Sequence, residues 1–214
     1  MNKIRNLLGH SNIIIYRQVL LAIIFLLAGN ITINTLYAAD HPEHRASESE
    51  KSFQRSFHLI EPPDVTLTDM NGTPVSLSSA LDNDKPLMVN FIFTSCPSIC
   101  PVLSAMFSQA QNHLGSDLET IRMVSISIDP EHDTPEELRK YAEKFHAGPQ
   151  WHFLTGNLDD IIAVEKAFDI FRGNKMNHEP YTFIRAARSD SWLRIDGFVG
   201  AADLTNEYRR IVAN

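Results

Sequence analysis

Phe91-Ile92-Phe93-Thr94-Ser95-Cys96-Pro97-Ser98-Ile99-Cys100-Pro101 is the stretch that decides the fold. It holds the only two cysteines of a 214-residue chain, with three residues between them. The apolar run 87–93 before them reads as a buried β-strand. Helical periodicity opens at Pro101, with Leu103, Met106, Phe107, Ala110 and Leu114 on one face and Gly115 as the stop. The cysteines therefore sit at a strand-to-helix turn. A helix N-terminus offers free backbone N–H groups and a partial positive charge, both of which stabilise a thiolate. If Ile99 and Cys100 lie in the first turn, Cys96 and Cys100 face the same way. Their sulfurs can then form a disulfide, act as a redox pair, or converge on one metal ion.

Outward from this turn, the chain alternates strand and helix. Residues 64–69 and 74–77 flank Asn71-Gly72 and read as a hairpin. A short helix follows at 77–81. Residues 121–128 read as a second buried strand. Thr134 and Glu137 have capping-box spacing, with Pro135 at the first helical position, so a second helix carries Leu138, Tyr141, Ala142 and Phe145 on its core face. A short strand at 151–154 precedes a helix capped by Asn157, with Leu158, Ile161, Ile162 and Phe168 pointing inward. After an irregular polar loop, residues 180–185 and 191–195 pair as strands around a turn at Ser189-Asp190. Leu204, Tyr208, Ile211 and Val212 mark a terminal amphipathic helix. This order predicts an α/β, thioredoxin-like fold with an N-terminal β-hairpin and helical insertions.

The first 39 residues read as a targeting segment. Lys3, Arg5 and Arg17 precede or flank the apolar run 19–28, no acidic residue occurs before Asp40, and small residues follow at 38–39. Residues 1–39 are thus expected to be a signal peptide or N-terminal membrane anchor, 40–57 a polar linker, and 58–214 the folded domain. The destination is extracytoplasmic, periplasmic or equivalent. The chain carries a net charge of −7, and losing residues 1–39 would remove three positive charges and no negative ones. That balance argues against a nucleic-acid partner. An exported cysteine pair meets an oxidising compartment, so it is either a lasting disulfide or a site that a dedicated thiol reductant keeps reduced.

Two thiolates one helical turn apart make a soft site, suited to Cu(I) or Zn. Of nine histidines, His178 differs from the rest. It lies in the polar loop 171–179, before a strand whose preceding loop packs against the cysteine turn in thioredoxin-like folds. His58, His113, His146 and His152 read as surface residues, and Asp129 as a turn residue. Pro180 is a candidate cis proline beside the cysteines.

Three motifs together carry a resemblance to a known family. They are Asn90-Phe91-Ile92-Phe93-Thr94-Ser95-Cys96-Pro97-Ser98-Ile99-Cys100-Pro101, then Ser127-Ile128-Asp129-Pro130-Glu131-His132-Asp133-Thr134-Pro135, then Asn177-His178. In order and spacing, over roughly residues 60–213, the chain resembles the SCO/SenC family, the copper-binding thioredoxin-fold proteins of cytochrome c oxidase assembly. The resemblance implies a mononuclear copper site made by Cys96, Cys100 and His178, near-trigonal for Cu(I). It implies a metallochaperone that delivers copper to the copper-centre subunit of an oxidase or to another copper protein. The alternative is an exported thiol–disulfide oxidoreductase, in which Cys96 and Cys100 are the redox pair and act on the cysteines of a copper protein. A peroxidase-like thiol enzyme would need an arginine beside its cysteine, and the motif has none.

Overall fold

Eight strands form one mixed sheet in the order β1-β8-β7-β4-β5-β6-β2-β3. A computed structural model describes residues 53–82 and 84–213. The targeting segment 1–39 and the first part of the expected linker lie outside the described residues. The strands are β1 Phe53–Leu59, β2 Thr66–Asp69, β3 Pro74–Ser76, β4 Leu87–Ile92, β5 Arg122–Ser127, β6 Trp151–Thr155, β7 Tyr181–Arg185 and β8 Ser191–Gly197. The helices are α1 Leu77–Ala80, α2 Ile99–Leu114, α3 Pro135–Lys144, α4 Leu158–Ala167 and α5 Ala201–Val212. Two 3-10 turns, Gly115–Glu119 and Lys175–Asn177, complete the list.

The local signals mostly act as their chemistry dictates. Thr134 accepts a hydrogen bond from the Glu137 N–H, and Asn157 from the Asp160 N–H, so both capped helices start where their caps stand. Gly115 follows α2 with φ of 57°, a conformation that costs glycine least. The hairpin β2–β3 forms around Asn71 and Gly72, with Asp69 accepting from the N–H groups of Asn71 and Thr73.

Three expectations need correction. The sheet begins at Phe53, inside the stretch read as linker. Residues 53–59 pair antiparallel with β8 throughout, although their alternation of Arg, Ser and His with Phe and Leu resembles a solvated segment. Phe57 and Leu59 are exposed while Ser56 and His58 are half-buried, so it is backbone pairing with β8, not an apolar face, that makes this segment a strand. Pro180 follows a trans peptide bond. Leu158 is not inward: it is 48% exposed at the first turn of α4, while Glu165 on the same helix is only 9% exposed. Leu158 and Glu165 are seven residues apart and share one face of α4, and both line the cavity described below.

Topology gathers the candidate residues at one edge. Strands β4, β5 and β6 are mutually parallel, so their C-terminal ends meet there. β7 is antiparallel to β4, so the chain before β7 arrives at the same edge. The cysteine turn, the 129–134 turn and the His178 loop thus converge although they are far apart in sequence. β4 lies in the middle of the sheet with every residue from Leu87 to Ile92 buried. A polar chain crosses this core: Trp151 donates to the Ser125 hydroxyl, which donates to Asn90. Phe91, Phe168, Phe183 and Trp192 pack edge to face behind the site. Among the described residues no helix is long and apolar enough to cross a membrane.

Candidate functional site

The end of β4 continues into Phe93, whose backbone holds both cysteines. Its carbonyl accepts from the Cys96 N–H at 3.1 Å, and its N–H donates to the Cys100 sulfur at 3.3 Å. Helix α2 starts at Ile99. Its N-cap, Ser98, makes no side-chain cap bond. The Cys96 sulfur fills that role, accepting from the Cys100 N–H at 3.4 Å. Both thiols are free, Cys96 at 8% exposure and Cys100 fully buried.

The two sulfurs differ electrostatically. Burial raises the Cys96 pKa, but the backbone N–H groups of Cys100, Ser98 and Ile99 and the Cys100 thiol outweigh it, so the net shift is downward. Burial pushes the Cys100 thiol far up, and the neighbouring Cys96 and Asp133 charges add to that against the opposing Phe93 N–H. Cys96 is the more acidic thiol of the pair and Cys100 the less acidic.

Asp133 fastens the turn to the next strand. Its carboxylate accepts from the Thr94 N–H, from the Thr94 hydroxyl at 2.6 Å and from the Ser127 hydroxyl at 2.6 Å. Burial raises its pKa, against the opposing bonds from Ser127 and Thr94. Asp129 closes the adjoining turn, its carbonyl accepting from the N–H groups of His132 and Asp133. Its side chain forms an ion pair with Lys175. The turn reading of Asp129 therefore holds, with an added role in docking the neighbouring loop.

Lys175 opens the 3-10 turn that carries His178, and its ammonium stands 5.8 Å above the Phe93 ring centroid. Asn174 caps this turn by accepting from the Met176 N–H. His178 is 6% exposed and lies edge-on to Phe93 on one side and Tyr181 on the other, each with ring centroids 6.4 Å apart. Burial lowers its pKa to about 4, with a hydrogen bond to the Phe91 carbonyl and the Glu179 charge opposing. The imidazole is neutral at pH 7, and its Nε2 is buried with no hydrogen-bond partner. One nitrogen is fixed by a backbone carbonyl and the other carries an unused lone pair, which is the usual arrangement of a histidine prepared for a metal.

The structure brings Cys96 and Cys100 together and places His178 beside them, across Phe93. It does not complete the triad: among the described residues no group of three or more His, Cys, Asp and Glu side chains stands close enough to hold a metal ion. Two residues that organise the site carry no sequence signal of their own. Phe93 reads as one more apolar strand residue and Lys175 as a solvated loop lysine. A cavity of about 320 Å³ adjoins the loop, lined among others by Asp129, Glu165, Phe171, Lys175 and His178.

Comparison with known proteins gives a consistent answer. Residues 45–189 match the sequence model of the SCO1/SenC family. The SCO1 protein homolog of Bacillus subtilis is 36% identical over 98 residues, covering 45% of this chain and 49% of that protein. The chain spans about half the length of the curated relatives it matches. Among solved structures, BsSco, a member of the Sco family of cytochrome c oxidase assembly proteins with a disulfide switch, superposes with a TM-score of 0.61 at 25% identity, covering 73% of this chain and 95% of that one. Copper-bound ScoI of Bradyrhizobium japonicum gives a TM-score of 0.57 at 23% identity, covering 72% and 100%. The expected thioredoxin-like α/β fold is thus the fold of its neighbours. With its family motifs at one sheet edge and the family match running over residues 45–189, the chain belongs to the SCO1/SenC family.

Proposed function

We propose that this protein is an exported copper metallochaperone that binds one copper ion through Cys96, Cys100 and His178 and assists copper insertion into the copper-centre subunit of cytochrome c oxidase. The carrying observation is the unpartnered Nε2 of a neutral, buried His178, on the loop beside a free dithiol. A soft cation is what two thiolates and an imidazole select, and Cu(I) tolerates the low coordination that three donors give. Cys96 is poised to bind first, because it gives up its proton more readily than Cys100. Cys100 gives up its proton as it binds, so loading releases a proton and costs less as pH rises. His178 needs no deprotonation above about pH 4.

A second reading has its own support. The downward shift at Cys96 and the upward shift at Cys100 suit an attacking thiolate and a resolving thiol, as in a thiol–disulfide oxidoreductase. The two readings share the reduced dithiol and separate at His178. The test is titration of the reduced full-length protein with Cu(I) against a competing chelator. Wild type is expected to take up one ion per chain, Cys96→Ser and Cys100→Ser to lose tight binding, and His178→Ala to bind at least tenfold more weakly. Equal affinity in wild type and His178→Ala overturns the metal-site reading. Disulfide-substrate turnover that survives His178→Ala but not either cysteine change would establish the oxidoreductase instead.

A further inference from the structure

The cavity beside the His178 loop has an unbalanced charge inventory. Its two cations are already engaged: Lys175 with Asp129, and Arg172 with Glu179 and the Tyr181 hydroxyl. Its two remaining carboxylates are not. Glu131 and Glu165 have no hydrogen-bond or ion-pair partner among the described residues. Glu165 is nine-tenths buried, and burial without any compensating bond holds its pKa up at about 7. The unpartnered imidazole nitrogen of His178 lies on a residue of the same wall. The Glu165 carboxylate oxygens are not shut off from solvent, so the head group opens to the cavity, where an arriving cation can meet it.

The rim is apolar. Leu158 is 48% exposed and Phe171 37% exposed, and both line the opening, with Ile162 and Ile170 deeper in. An apolar collar above an unpaired carboxylate matches a side chain with a hydrocarbon stem and a charged tip. No group of carboxylates and imidazole here is close enough to hold a metal ion, so the complement is an organic cation.

We propose that this cavity is a docking pocket for a lysine or arginine side chain of a partner protein, with Glu165 taking the charged tip and Leu158 and Phe171 the stem. The pocket shares His178 with the site above, so a docked segment would sit beside the candidate metal ligands. Only that link to copper transfer rests on the proposed function; the pocket itself does not.

The test uses two short peptides, acetyl-Leu-Lys-Leu-amide and its norleucine counterpart, titrated into the full-length, metal-free protein and followed by amide chemical shifts. The lysine peptide is expected to shift resonances around Leu158, Glu165 and Phe171 and to bind at least tenfold more tightly than the norleucine peptide. Glu165→Gln is expected to erase that preference while leaving the fold intact by the same spectrum. Equal binding of the two peptides, or a preference unchanged in Glu165→Gln, overturns the proposal. Copper titration of Glu165→Gln separates the two claims. Normal copper uptake with lost lysine preference supports the pocket independently, whereas lysine preference in a protein that takes up no copper leaves the pocket standing and removes the metallochaperone reading.

Discussion

The Cys96 sulfur accepts the Cys100 backbone N–H at 3.4 Å, taking the place of the absent side-chain cap of helix α2. One cysteine thereby draws on the helix N-terminus while the other is buried behind it. The consequence is unequal reactivity. In reduced protein at pH 7, iodoacetamide should modify Cys96 in a Cys100→Ser background at least about tenfold faster than Cys100 in a Cys96→Ser background, because the thiolate is the nucleophile. The Cys96 rate should also level off at lower pH than that of an unperturbed thiol. Equal rates, or a faster Cys100, would contradict the assignment.

Asp133 ties Thr94 and Ser127 together through both carboxylate oxygens. Asp133→Ala leaves the Thr94 N–H and the Thr94 and Ser127 hydroxyls without that acceptor, and should cost about 2–4 kcal/mol in urea unfolding. Asp133→Asn keeps one acceptor and relieves a charge that burial disfavours, so it should cost less than half as much. The cysteine turn hangs from Thr94, so Asp133→Ala should also weaken Cu(I) binding in the fraction that remains folded. Indistinguishable unfolding midpoints for the two variants would show that the carboxylate is not the fastener.

His178 gives a pH dependence with a defined sign. Its folded pKa, about 4, lies below the ordinary value of 6.5. A histidine depressed in this way stabilises the fold fully above pH 6.5, and that contribution is lost as pH falls toward 4, because protonation favours the unfolded chain. Spread over that window the loss is on the order of 3 kcal/mol. Urea unfolding of metal-free, reduced protein should show this loss in wild type and a flatter profile in His178→Gln. Parallel profiles between pH 6.5 and 4 would mean that the imidazole is not buried neutral.

Much of this was legible in the residues. The cysteine turn, the caps at Thr134 and Asn157, the Asn71-Gly72 hairpin and the run of alternating elements are local signals, each with a local cause. Cys96, Cys100 and His178 stood out by residue type and by their place relative to a strand. What stayed hidden depends on the tertiary arrangement. Edge strand β1 looks like linker because its apolar Phe57 and Leu59 stay exposed, and only its backbone pairing with β8 defines it. Leu158 is exposed and Glu165 buried although they share one face of α4, because the cover over that face changes along the helix. The distance between His178 and the sulfurs is likewise a property of loop closure, which no spacing encodes. Even the roles of Phe93 and Lys175 exist only once three distant segments share one edge.

That closure leads to the last prediction. Lys175 clasps Asp129, a residue 5% exposed, and so pins the loop that carries His178 while the three donors remain unconverged. On the proposed function, His178 reaches the metal from a loop held by this pair. A partly exposed ion pair of this kind is worth about 1 kcal/mol, roughly a fivefold factor. Lys175→Met keeps the aliphatic stem over Phe93 and removes the charge. It should speed the His178-dependent phase of Cu(I) uptake by roughly that factor in stopped-flow absorbance, with little change in urea stability. Asp129→Asn should do the same, and the double variant should add nothing, since both changes cut one bond. A slower uptake in Lys175→Met would reverse the assignment: the pair would then hold His178 where the metal needs it, and loop displacement would not precede binding.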